Sequence, residues 1–111
     1  MVEYRGQELD AVYSAVSHPV RRRLLGLLAG SHARVTELAA PFPMSLAAVS
    51  KHIRVLEEAG LVRRTIRGRE HELALEPAPL MSAAQWLDSY RTFWEDRLDT
   101  LDVKLRGGTR P

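Results

Sequence analysis

Apolar positions recur along this chain with two different periods. Between residues 8 and 17 they are Leu9, Val12, Tyr13 and Val16, which share one face of an α-helix. "SHP" interrupts that face, and Pro19 suits the first turn of a second helix, where the missing N–H would have no helical partner anyway. The second helix turns Val20, Leu24, Leu27 and Leu28 inward and Arg21, Arg22 and Arg23 partly outward, and Gly30 is a fitting stop. "VTELAAPF" reads as a third, short helix ended by Pro41 and Pro43. Ser45 is a good N-cap for a fourth, although no Glu or Gln follows three residues later to complete a capping box. In that helix Val49, Ile53 and Leu56 repeat at four and three, and Gly60 ends it.

The period then changes. Leu61, Val62, Thr65 and Ile66 precede "RGRE", and Leu73 and Leu75 follow it, an imperfect alternation that predicts two short strands at about 62–66 and 71–75. The turn between them falls on Arg67, Gly68 and Arg69, with Gly68 supplying a positive φ. "EPAP" breaks the chain once more. From residue 79 to about 105 a stripe of Leu80, Ala84, Leu87, Trp94, Leu98, Leu101 and Leu105, interrupted only by Arg91, predicts one long helix. Ala83, Trp86, Tyr90 and Phe93 widen the stripe.

These elements make a mainly α chain in the order ααααββα. Helices three and four form a helix-turn-helix, and the hairpin after them forms a wing. The whole chain, residues 1–111, is expected to be a single winged-helix domain with its core at about 8–105 and a frayed tail at 106–111. The last helix would be about 40 Å long at ~1.5 Å per residue. A compact domain near this size has a radius of gyration of only ~13 Å. The helix is too long and too apolar for its own domain to cover, so a second copy of the chain is the expected cover.

Charge sharpens this picture more than composition does. Net charge is only +2. Residues 45–69, however, hold six basic residues against two acidic, and residues 76–105 hold six acidic against three basic. A basic middle and an acidic last helix point to two surfaces with different partners. Arginine outnumbers lysine 14 to 2, a bias that a GC-rich genome alone would produce.

The fourth helix has an unusually thin outer face. With Val49, Ile53 and Leu56 inward, the opposite side carries Ala47, Lys51, Arg54 and Glu58, flanked by Ala48 and Ser50. A helix lying in a DNA major groove has only ~12 Å of width. Small residues let its backbone approach base edges and thymine methyls, while Lys51 and Arg54 reach guanine or phosphate. Its N-terminus favours phosphate through free N–H groups. Arg63, Arg64, Arg67 and Arg69 surround the glycine turn of the hairpin, where they would hold flanking backbone or enter the minor groove. On an isolated hairpin such arginines would only be solvated; beside this helix they point to DNA.

"LDAVYSAVSHPVRRRLLGLLA", "VTELAAPFPMSLAAVSKHIRVLEEAGLVRR" and "FWEDRLDTLDVKL" together resemble the arsenic-repressor-type (ArsR) family of bacterial winged-helix regulators, over about residues 8–105. The fourth helix is the most specific part, and the likeness is greatest to a branch without metal sites. The resemblance implies a homodimer joined through the first and last helices, a palindromic operator, and repression relieved by an effector. The DNA-contacting set expected is Ser45, Leu46, Ala47, Ala48, Ser50, Lys51, His52, Arg54, Arg64, Arg67 and Arg69. The dimer interface expected is Leu9, Val12, Tyr13, Leu87, Tyr90, Trp94, Leu98 and Leu101. The chain departs from many relatives in having Leu46, Ala47 and Ala48 where they carry Gln, Ser and Thr, so Arg54, Lys51 and methyl contacts must supply base readout. His18 replaces a common aspartate cap, which weakens that cap, and His52 lies about 60° from the inward direction, a half-buried packing position or a DNA contact.

Other chemistries find little support. The chain has no cysteine and its four histidines, His18, His32, His52 and His71, fall on different elements, so neither a metal nor another cofactor is expected. "HELAL" at His71 lacks the second histidine of a zinc-protease motif and lies in a predicted strand. Neither a nucleophile elbow nor a phosphate loop is present, so an enzyme is not expected. Trp86, Tyr90, Phe93 and Trp94 either line a pocket for an apolar small-molecule effector or fill the core and dimer interface, where aromatics are enriched. The polar start, the missing cysteines and the lack of a run near ~20 apolar residues fit a cytoplasmic protein with no membrane partner. Double-stranded DNA is the expected partner. The rival reading is a winged-helix protein-interaction module that does not bind specific DNA. Whether the regulator represses or activates depends on where its site lies in the promoter.

Overall fold

A computed structural model places the backbone of residues 2–109 and the side chains of residues 6–105. Five helices and three strands follow in the order α1 (Val2–Val16), α2 (Pro19–Leu28), β1 (Ala33–Arg34), α3 (Val35–Ala39), α4 (Leu46–Glu58), β2 (Val62–Arg67), β3 (Glu70–Leu75) and α5 (Ala78–Thr109). The expected winged helix-turn-helix is present, with one strand more than the sequence pattern predicts. β1 pairs antiparallel with β3, Ala33 opposite Leu73 and Arg34 opposite Glu72, so the sheet order is β1-β3-β2. Two residues are too short to show a period, and β1 exists because β3 offers it a free edge.

Each boundary has a local cause. Ser45 Oγ accepts from the Ala48 N–H at 3.1 Å and caps α4. At the other end Gly60 takes φ +76°, Gly60 N–H donates to Glu57 O at 3.0 Å and Leu61 N–H to Leu56 O at 2.9 Å. This is a Schellman ending, in which a left-handed glycine lets the last carbonyls find donors. Gly68, φ +62°, leads the two-residue turn between β2 and β3. His18, expected to be a weakened cap, is a working one: its Nδ1 accepts from the Val20 N–H at 3.1 Å. The imidazole nitrogen supplies the acceptor that a carboxylate would have supplied.

The arginines of "VRRR" also find internal work. Arg21 donates to Ala15 O at 2.6 Å and to Ser14 O at 3.0 Å, and Arg22 donates to Val16 O at 2.7 Å. Both satisfy carbonyls at the C-terminal end of α1, where a cation is favoured by the helix dipole. Arg23 lies over the Phe42 ring at 4.8 Å. With Arg21 drawn in, α2 turns Leu24, Leu25 and Leu28 into the core, while Leu27, an expected core residue, is 42% exposed.

The core gathers one residue set from every layer. Leu24, Val49, Ile53, Leu56, Leu61 and Leu73 are fully buried, with Val12 and Ala15 from α1, Leu38 from α3 and Ala83 from α5 closing it. From Ala84 to Leu105, every residue of α5 is exposed. The radius of gyration is 19.7 Å and the molecule extends 75 Å along its longest axis, well beyond a compact domain of this size. α5 therefore leaves the domain as an uncovered rod. Its backbone runs to Thr109, and the remainder of the expected tail at 106–111 lies outside the described residues.

Candidate nucleic-acid interface

α4 presents the face its sequence predicts. Val49, Ile53 and Leu56 point into the core, and Leu46, Ala47, Lys51, Arg54 and Glu58 are exposed on the other side, with Ala48 and Ser50 half-buried at its flanks. Lys51 and Arg54 make no hydrogen bond or ion pair among the described residues, so both cations are available. Ser45 spends its hydroxyl lone pair on the α4 cap, which keeps the helix N-terminus in place.

His52 sits between this helix and α2. Its ring centroid is 4.4 Å from that of His18, and its Nδ1 is 3.1 Å from Arg21 Nη1. Since a guanidinium only donates, Nδ1 of His52 must carry the lone pair. Burial lowers the His52 pKa from its ordinary value, and nearby His18 and Arg21 lower it further. The half-buried packing role is the one the geometry fits, and it ties α4 to the N-terminal end of α2.

The wing arginines divide into two kinds. Arg67 and Arg69 are exposed at the tip, beside an Ile66 that is 61% exposed. Arg63 pairs with Glu76 at 2.7 Å at the base of the hairpin. Arg64, expected among the DNA contacts, turns instead toward α4. Its Nη2 and Nε donate to the two carboxylate oxygens of Glu57 at 2.7 and 3.1 Å, and its Nη1 lies 2.8 Å from His71 Nδ1. Hydrogen bonding to Glu57 raises the Arg64 pKa against a smaller opposing effect of burial. A charge already paired with a two-pronged carboxylate is a poorer phosphate ligand than an exposed one, and here Arg64 is committed to α4. The sequence signal was there to be read: Glu57 and Arg64 straddle the Gly60 reversal, which brings a helix end and a strand start side by side. On the far edge of the sheet, His32 and Glu72 meet at 2.7 Å, and that hydrogen bond lowers the Glu72 pKa.

The expected interface residues also separate. Val12 is 2% exposed and belongs to the core, which removes it as an interface residue. Leu9 and Tyr13 pack against the same core, and Tyr13 donates its hydroxyl to Ala83 O at 3.1 Å, fastening α1 to α5. Leu87, Tyr90, Trp94, Leu98 and Leu101 remain uncovered, each about half exposed. Trp86, Tyr90, Phe93 and Trp94 stack along the same rod, with Trp86 and Tyr90 centroids 5.2 Å apart, so they do not fill this chain's own core. Among the described residues no group of three His, Cys, Asp or Glu could hold a metal ion, and no helix is long and apolar enough to cross a membrane.

Comparison with known proteins agrees with this arrangement. A helix-turn-helix domain model matches residues 16–65, the span from the end of α1 into the wing. The chain is similar to a crystal structure of an ArsR family transcriptional regulator at 37% identity and a TM-score of 0.77, over 81% of this chain and 93% of that one. It is 34% identical to the HTH-type transcriptional regulator Rv2034 of Mycobacterium tuberculosis, over 75% of this chain and 78% of the relative. It is 27% identical to the transcriptional repressor SdpR of Bacillus subtilis, over 71% of this chain and 88% of the relative. A small-faced recognition helix beside a basic wing, on a fold shared with these regulators, gives one conclusion: the chain belongs to the ArsR family of winged helix-turn-helix transcriptional regulators and is a DNA-binding regulator.

Proposed function

We propose that the protein is a homodimeric repressor that binds a palindromic operator. The observation that carries the DNA-reading part is the exposed face Ala47–Lys51–Arg54 together with the exposed wing tip Arg67–Arg69. Leu46 and Ala47 approach thymine methyls, Arg54 and Lys51 reach guanine O6/N7 or phosphate, and Ser50 lies at a phosphate or base edge. Arg67 and Arg69 hold the flanking backbone. Ser45, Ala48 and His52 set the pose of the helix. The uncovered apolar rod of α5 supports dimerisation, with Leu87, Tyr90, Trp94, Leu98 and Leu101 as its contacts. A two-fold dimer places its two recognition helices in half-sites about one helical turn, or a multiple, apart. Likeness to a relative named as a transcriptional repressor favours repression, by occlusion of RNA polymerase.

The test is fluorescence anisotropy with the duplex that lies upstream of this protein's own gene, against a scrambled duplex of equal length, at several salt concentrations. Tight binding to the native duplex that falls with salt, and much weaker binding to the scrambled one, is the expected result. Equal weak binding to both would leave generic electrostatics and overturn the assignment of that operator.

A further inference from the structure

We propose that Glu57, Arg64 and His71 form a clasp that sets the angle of the wing to the recognition helix, so that Arg64 and Glu57 position the wing arginines without touching DNA. The inference deepens the DNA-binding reading above and rests on it.

Backbone pairing with β1 holds the hairpin along its β3 edge, Leu73 and Glu72 opposite Ala33 and Arg34, while its β2 edge, the one beside α4, is tied to that helix by side chains. The hairpin is joined to α4 through Ala59 and Gly60, and its root is plugged by buried Leu61 and Val62. Beyond Val62 the strand moves away from the core. Side chains alternate along β2, so Val62 and Arg64 share the face toward α4, while Arg63 and Thr65 share the other. Arg64 is the outermost hydrogen-bonded tie between the hairpin and α4 among the described residues. Past it lie only Thr65, Ile66 and the tip, where Arg67 and Arg69 are exposed.

The chemistry of the tie is directional. Glu57 stands in the last turn of α4, and its two oxygens meet the Nε and Nη2 edge of the guanidinium at 3.1 and 2.7 Å. A planar fork on a planar carboxylate fixes orientation as well as distance, which a lysine in the same place would not do. The remaining Nη1 lies 2.8 Å from His71 Nδ1 on β3, so one guanidinium holds the helix and both strands of the hairpin. Glu57 and Arg64 side chains are each only 26% exposed, which limits screening by solvent. A lever held at its root by Leu61 and Val62 and two residues beyond Val62 by Arg64 presents its tip in one pose.

A double-mutant cycle tests the clasp against a simple structural role. The variants are Glu57→Gln, the pair Arg67→Ala and Arg69→Ala, and all three together, with affinity for the upstream duplex read by anisotropy. In the wild-type background the wing pair should weaken binding by about tenfold at ~0.15 M salt. In the Glu57→Gln background the same pair should weaken it by about twofold or less, because the wing no longer sits on the backbone. Equal wing losses in both backgrounds would overturn the clasp, since a residue that only stabilises the fold leaves the contacts additive. Arg64→Lys, which keeps the charge and loses the fork, is the second variant and should show the same shrunken wing effect. If Arg64 touches phosphate directly, Arg64→Lys leaves the wing effect whole, and the proposal fails. Wild-type protein that does not prefer the upstream duplex over the scrambled one would sink the DNA reading of that site instead, a failure visible before any variant is made.

Discussion

Arg54 and Arg67 carry the same charge and are expected to do different work. Arg54 lies midway along the exposed face of α4, and in the proposed complex it reads base edges, so Arg54→Ala should cost about 1–3 kcal/mol on the operator and relax base preference at one position. Competition with single-base operator variants reads this, and an unchanged preference would remove Arg54 from base readout. Arg67→Ala should weaken binding to all duplexes alike and reduce the salt slope by about one, as the loss of a phosphate contact does. His52 gives a stability prediction. Burial first, then His18 and Arg21, disfavour its protonation in the folded chain, while the unfolded chain binds that proton at the ordinary value of 6.5. Its contribution is therefore present above that value and is lost as the pH falls below it, toward the depressed folded value. The melting temperature measured from about pH 8 down to about pH 5 should fall less in His52→Gln than in the wild type, because the amide still accepts from Arg21. Equal slopes would place the acid sensitivity elsewhere.

Among the elements, the ends of α4 decide the pose of the reading helix. Gly60 at φ +76° would hold an alanine in strained backbone, though a Cβ there meets only Pro79 Cγ at an ordinary 3.6 Å. Gly60→Ala should therefore destabilise the fold by about 1–2 kcal/mol through conformation alone, and thermal unfolding reads it. A melting point equal to the wild type's would mean that the Schellman turn tolerates a side chain. The same elements show what a sequence can carry. Period and punctuation located all five helices and the hairpin, because Val49, Ile53 and Leu56 repeat as a buried face must and Ser45, Gly60 and Gly68 mark its breaks. β1 was not legible, since its two residues owe their conformation to a partner strand some forty positions away. Nor was the fate of the arginines. Arg21, Arg22 and Arg64 look like free positive charge in a list of residues, yet helix-end carbonyls and one glutamate take them up. Such pairing depends on which way α2 and β2 are turned, and periodicity leaves that rotation open by a residue either way, as Leu25 and Leu27 show.

At the scale of the molecule, the fold divides into a covered head and an uncovered rod. Val12, Leu9 and Tyr13 serve the head, so in the proposed dimer α5 supplies most of the interface and α1 fastens the rod in place. Trp94→Asp together with Leu98→Asp should give a monomer by sedimentation, with operator affinity reduced by about a hundredfold or more as one half-site is lost. A dimer that survives both changes would move the interface off this face. The rod has a consequence for dosage. A helix exposed on all sides from Ala84 onward gains little from its own head, so its order and the pairing of two chains arrive together. Melting should then shift upward with protein concentration. In the cell, occupied operator would climb with the square of the copy number while chains are scarce. A few-fold change in synthesis would switch the promoter where a monomeric regulator would only grade it.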